Sequence, residues 1–389
     1  MAGGLNLACL PIGYYIDRAG RRVAGRLSAA SLMFSFVLFG ISCLIEDGNL
    51  ATLLVGGSYV AMGCFGAMLM LVCMTMSAQP TTDKLWGVRI PGSVINATIQ
   101  MCFDLSAGIG GMLSLVQSMF HISVSVIFPV YGLIAGASVY LFVRDHIPDD
   151  GQQASPRTEM RTSDYTQPKM LACYAAISSQ MTLCYFYLGT VREQVLWVSG
   201  GDRAAAERMN AHFGDVFLVA LSPVTVAVSH LACRRGPRFA VAANALLGAA
   251  FGGLSVVPSA AAQYLTFALF AVWRSLLFVV LYHFILSSFP LAHFGRLAGA
   301  SFFVAGAATT LVGSLLTAAV VPRLLAGSFL LPNLALTAAA LTTGLAMARR
   351  IPPEATAAAA AAAAEAAPLG DSDQLASGEE EGSGETGRV

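Results

Sequence analysis

Asp104, Arg192, Glu193 and Arg274 stand in stretches of this sequence that are otherwise apolar. A charge inside a low-dielectric segment costs about 2.5–3.5 kcal/mol or more, so each is a candidate for function. Arg274, in AVWRSLLFVVLYHF, carries a planar guanidinium that can hold a carboxylate through two N–H donors. The same group could instead form a structural ion pair with Asp104. Asp104, in MCFDLSAGIGG, could relay protons, or could hydrogen-bond Ser106 or Arg274 and hold helices together. Arg192 and Glu193 are adjacent and would project about 100° apart on a helix, which suits an outer gate or an interfacial pair. Gln180, Tyr185 and Tyr187 bring amide and hydroxyl groups to one apolar stretch, where they could line a polar cavity or pack between helices.

The elements that must position these groups follow from composition. The 389 residues are 56% hydrophobic and 11% charged, with mean hydropathy +0.68, whereas soluble domains carry roughly 25% charged residues. Lipid cannot satisfy an open backbone, so apolar runs of about 20 residues read as membrane-spanning helices. Such runs cover 1–16, 24–45, 50–76, 94–116 and 122–143, then 170–198, 211–232, 239–257, 261–288, 297–321 and 328–348. That predicts an all-α polytopic protein of about eleven spans, with none of the two-residue alternation of a membrane barrel.

Lysine and arginine sort the loops into two sets. Arg18, Arg21, Arg22, Arg26, Lys84, Arg89, Arg144, Arg157, Arg161, Lys169, Arg234, Arg235, Arg238, Arg296, Arg349, Arg350 and Arg388 fall on one side; Arg203, Arg208 and Arg323 fall on the other. The side of residues 13–22 is therefore predicted to be cytoplasmic. The polar stretch 144–169 divides five spans from six and reads as a cytoplasmic linker between an N-terminal unit, 1–143, and a C-terminal unit, 170–348. Residues 349–389 are alanine-rich and then acidic, and read as a disordered cytoplasmic tail.

Net charge is +0, which with the lack of a basic, aromatic-interleaved stripe argues against a nucleic-acid partner. The cysteines form no CxxC pair and none stands at zinc spacing from a histidine, so no metal or disulfide framework is expected. No GxSxG, HExxH or P-loop motif points to an enzyme or an ATP-driven pump, and no cofactor is implied.

The stretch GYYIDRAGRR, residues 13–22, joins the first two apolar runs. Its order of Gly13, Asp17, Arg18, Gly20, Arg21 and Arg22 resembles the cytoplasmic loop between the second and third helices of the major facilitator superfamily. The resemblance implies two pseudo-symmetric helical bundles moving by alternating access, with this loop acting as a latch. CRRGPR, 233–238, keeps the basic residues and the glycine but lacks the acid, as a degenerate second copy would. If residues 13–22 join the second and third helices, the chain begins at the second, and the first is expected to be missing.

Further stretches are similar to one branch, the sodium-independent amino-acid facilitators of solute carrier family 43 and the related apicomplexan transporters. They are MCFDLSAGIGG, FYLGTVREQVLWVSGGD, HFGDVFLVALSPV and FPLAHFGRLAG, with the helix of Arg274 before the last. This resemblance implies facilitated transport of an L-amino acid, large neutral or aromatic rather than cationic, across the plasma membrane. It places Arg274 on a cavity-lining helix. The alternatives are a superfamily transporter of another small solute, and a transport-inactive fragment or accessory membrane subunit. The expected partners are a small-molecule substrate and the lipid bilayer.

Overall fold

A glycine at residue 20, with φ of 93°, turns the chain from α1 (Cys9–Ala19) into α2 (Arg21–Ser42). Only a residue without Cβ adopts that backbone easily. The same device recurs at Gly236, φ 90°, between α10 (Ser222–Arg234) and α11 (Pro237–Ser255). The paired basic loops of the sequence are thus paired in backbone geometry too.

The structure, a computed structural model, describes residues 6–78, 84–85, 88–106, 109–147, 162–215 and 222–352. Most of the expected linker (148–161) and nearly all of the expected tail (353–389) lie outside the described residues. After α2 come α3 (Gly48–Met74), α4 (Gly92–Ser106), α5 (Ile109–Phe120) and α6 (Val124–His146). The short α7 (Thr162–Tyr165) precedes α8 (Pro168–Val198) and α9 (Arg203–Asp215). Following α10 and α11 are α12 (Ala260–Ser288), α13 (Phe294–Leu315) and α14 (Leu330–Arg350). A π-helical segment, Leu316–Leu324, prolongs α13 and contains Pro322. Lys84–Leu85 pairs antiparallel with Val88–Arg89, a two-residue exception to the all-α expectation.

Helix ends follow local chemistry. Asp47 caps α3, accepting from the backbone N–H groups of Asn49 and Leu50. Pro168 and Pro237 occupy the first turns of α8 and α11, where a missing N–H removes no helical bond.

Within the N-terminal set α2 packs on α3 and α6; within the C-terminal set α11 packs on α12 and α14, and α8 on α13 and α14. Lipid tails are as apolar as leucine, so helices in a bilayer associate through close packing and polar contacts instead. Glycines supply the closeness. A Cβ on Gly132 would meet Phe36 Cβ at 2.4 Å, and one on Gly252 would meet Thr337 Oγ1 at 1.9 Å. Phe251, Phe267, Phe270, Trp273 and Tyr187 fill the C-terminal set with an aromatic cluster, Phe251 stacked on Trp273 at 5.0 Å.

Among the described residues, seven helical stretches are long and apolar enough to cross a membrane. They match the expected spans 24–45, 50–76, 122–143, 239–257, 261–288, 297–321 and 328–348. The other four runs are not each met by one such helix among the described residues. α8 is long enough at 31 residues but carries Gln180, Arg192, Glu193 and Gln194. Within the runs 94–116 and 211–232, residues 107–108, between α4 and α5, and 216–221, between α9 and α10, lie outside the described residues.

Candidate functional site

Arg274 and Asp104 are brought together. Asp104 lies on α4 and Arg274 on α12, so their ion pair crosses from the N-terminal to the C-terminal set of helices. The Asp104 carboxylate is held on both oxygens. Oδ1 accepts from Arg274 Nη1 and from Gln100 Nε2 at 3.0 Å, and Oδ2 accepts from Ser275 Oγ. The side chains of Arg274 and Asp104 are 12% and 10% exposed. Arg274 also stands over the Phe278 ring at 5.6 Å and bonds the Cys184 thiol of α8. The next residue along α8, Tyr185, lies within electrostatic reach of Arg274. Charged, amide and hydroxyl groups from several helices thus converge on one mid-span seam.

Gln100 and Ser275 were not among the sequence candidates. Asn96, Gln100 and Asp104 recur every four residues on α4, all buried, and form a polar stripe along one helix face. Uncharged amides at that spacing in an apolar run were the available signal. The stripe continues to Ser93, whose hydroxyl meets His230 Nδ1 of α10 at 2.9 Å.

Two expected cavity residues face elsewhere. Gln180 is buried inside the C-terminal set, bonded to Asn244 of α11 and close to Gly344 of α14. Tyr187 packs edge-on to Phe251 at 4.9 Å in the aromatic cluster. Of the three, only Tyr185 reaches the seam, since on α8 it points about 140° from Gln180 and 200° from Tyr187. Arg192 and Glu193 are exposed near the C-terminal end of α8 and do not join the seam of Arg274. The buried polar residue beside them is Gln194, which accepts from Asn333 of α14 at 2.7 Å and donates to Thr190 at 2.8 Å.

The residues of 13–22 form a second seam, between α1 and α13. Asp17 lies past the apolar run that ends at Ile16. Its Oδ1 accepts from the backbone N–H of Gly295, and its Oδ2 from that of Arg296, both at 2.9 Å. The acid on α1 therefore caps the start of α13, where unpaired N–H groups and the helix dipole favour a carboxylate. Arg296 Nε lies 3.6 Å from Asp17 Oδ2, and its guanidinium stands over Tyr14 at 4.9 Å. Burial pushes the Asp17 carboxyl up to about 7, while both N–H groups, Arg296 and Arg21 pull the other way. A Cβ on Gly13 would meet Gly295 O at 1.9 Å, and one on Gly299 would meet Cys9 O at 2.3 Å. Of the remaining basic residues, Arg22 donates to the Arg144 carbonyl of α6, Arg18 lies 3.5 Å from the Tyr14 hydroxyl, and Arg21 is buried. The stretch thus ties α1 to α13 and α2 to α6.

No family model and no curated protein sequence matches the chain. Solved structures do. The human organic anion transporter MFSD10 (TETRAN) superposes with a TM-score of 0.63 at 15% identity, covering 88% of this chain and 82% of that one. FucP, the fucose:proton symporter of E. coli, gives 0.62 at 13% identity in its outward conformation, covering 89% and 87%. The proton:xylose symporter XylE gives 0.62 at 14% identity, covering 90% and 84%. At these identities the likeness is one of fold, and it joins the apolar helices, the paired glycine turns and the two seams: the chain is a multi-pass, all-α membrane protein with the major facilitator fold.

Proposed function

We propose that the chain is a secondary transporter that moves a small carboxylate-bearing solute by alternating access, without sodium. An L-amino acid, large neutral or aromatic, is the favoured substrate. The observation that carries this reading is Arg274, a guanidinium in the seam between α4 and α12. Alternating access opens and closes such a seam, and a planar fork of donors there suits a carboxylate. The amino-acid class rests on the sequence resemblance to the family 43 facilitators. In this reading Tyr185 lies beside the bound solute, and the α1–α13 seam is the cytoplasmic latch between bundles 1–143 and 170–348. The plasma membrane is the proposed location, with residues 13–22 on the cytoplasmic side.

Radiolabelled uptake into oocytes expressing the chain tests this reading, with sodium replaced and a panel of amino acids, sugars and organic anions offered. Saturable amino-acid uptake that persists without sodium is expected. Uptake that follows fucose or xylose and ignores every carboxylate would overturn the substrate class.

A further inference from the structure

Within the described residues, the acid that holds Arg274 is Asp104, and this carboxylate already occupies the kind of place a substrate carboxylate would take. The two partners of the pair are not held alike. Asp104 keeps a donor on its own helix, Gln100, and a hydroxyl donor, Ser275, besides the guanidinium. If Arg274 turned to another carboxylate, both oxygens of Asp104 would still accept hydrogen bonds. Arg274 would meanwhile be neutralised by the carboxylate of the solute, and Asp104 by the α-ammonium group of an amino acid. A buried ion pair is costly to break by deleting one partner, because the other charge is left without compensation.

We infer that Asp104 is the internal counter-ion of the empty carrier, holding Arg274 until a substrate carboxylate replaces it. The inference rests on the reading of Arg274 as the carboxylate site and adds the role of Asp104. In the loaded carrier Arg274 pairs with the solute; in the empty carrier it pairs with Asp104. Both forms then carry a compensated guanidinium through the seam and both can reorient. Without the Asp104 charge only the loaded form is compensated. The empty carrier would be held on one side, and the protein would exchange solute across the membrane without moving it net. A clasp that stays shut throughout the cycle would behave differently, since its loss would affect loaded and empty carriers alike.

The test uses the full chain reconstituted in liposomes, with a radiolabelled large neutral amino acid as the probe. Net uptake into solute-free vesicles needs the empty carrier to return, whereas counterflow into vesicles preloaded with the same amino acid does not. For Asp104→Asn, net uptake is expected to fall at least about tenfold while counterflow stays within about threefold of the wild type. Asp104→Glu, which keeps the charge, should recover most of the net uptake. Equal loss of both activities in an Asp104→Asn protein that remains monodisperse would make Asp104 a permanent clasp and overturn the inference, as would no change in either. The wild type gives an independent arm: its counterflow should exceed its net uptake by less than about threefold, and an excess of about tenfold or more would show the empty carrier already stalled despite Asp104. A wild type that carries sugars and no carboxylate would sink the transport reading itself, and this inference with it. A wild type that carries amino acids without the expected split in Asp104→Asn would sink the inference alone.

Discussion

The seam between α1 and α13 and the seam between α4 and α12 join the same two sets of helices by different physics. At the first, backbones touch: Gly13, Gly295 and Gly299 leave no room for a Cβ, and one carboxylate, Asp17, takes two N–H groups at a helix start. At the second, side chains reach across: Asp104 meets Arg274 and Ser275 with Gln100 behind it. Contact between backbones fixes a register and tolerates no substitute. A contact between a guanidinium and a carboxylate can exchange one carboxylate for another. The first seam closes in one register, and the second is held by charge. The second copy of the basic loop sharpens the contrast. Its Gly236 repeats the turn of Gly20, but CRRGPR holds no acid, and α10 instead meets α4, with Ser93 on His230.

The largest expected effect comes from breaking the mid-span pair from its cationic side. Arg274→Ala leaves Asp104 without its cation, a loss of roughly 3–5 kcal/mol for a buried pair. Amino-acid uptake should vanish, and the melting temperature of the detergent-solubilised protein should drop. Arg274→Lys should recover binding only in part, because the fork of two donors is gone. Full recovery by lysine would show that charge alone, and no bidentate geometry, matters at this seam.

Next in size is steric disruption of the seam between α1 and α13. Gly13→Ala drives a methyl group into the Gly295 carbonyl, and overpacking of this kind costs about 1–3 kcal/mol. Cross-linking between cysteines placed at the C-terminal end of α1 and the N-terminal end of α13 should weaken, and transport should slow about tenfold or more. An unchanged cross-linking yield would mean that the two backbones have room to spare.

Asp17→Asn acts at the same seam without adding bulk. It leaves one carbonyl oxygen for the two N–H donors of Gly295 and Arg296, a loss of about 1–3 kcal/mol. Turnover should fall several-fold while substrate affinity measured by binding stays the same. If affinity fell as well, the two seams would be coupled more tightly than their separate contacts suggest.

The smallest effect is one of pH. With the seam closed, the Asp17 carboxyl is raised from 3.8 to about 7, so closing takes up a proton between those values. Closure of this seam should therefore strengthen as pH falls from about 8 to 6, and the advantage is lost as pH rises through about 7. Accessibility of a cysteine at the C-terminal end of α1 to an aqueous label should decrease on acidification in the wild type and show no such trend in Asp17→Asn.

Much of this was written in one dimension. Hydropathy predicted each of the seven long apolar helices, because partitioning into lipid depends on local composition and length. The two glycine turns were equally local, since φ near +90° at Gly20 and Gly236 is a property of one residue and its neighbours. The rarity of charge in apolar runs singled out Asp104 and Arg274 without reference to any neighbour.

What composition could not assign was direction and partnership. Gln180, Tyr185 and Tyr187 share one stretch of α8, yet only Tyr185 turns to the mid-span seam, because which helix face meets which neighbour is settled by packing. Asn96 and Gln100 looked unremarkable until the polar face of α4 was set against α10 and α12. Asp17 belonged visibly to a loop motif, but its grip on Gly295 and Arg296 joins residues 278 and 279 positions apart. Sequence determined the spans, their turns and the scarce charges, since each depends on a residue and its surroundings in the chain. The tertiary structure alone decided which charges meet, because burial in a common seam is a relation between helices that no single stretch contains.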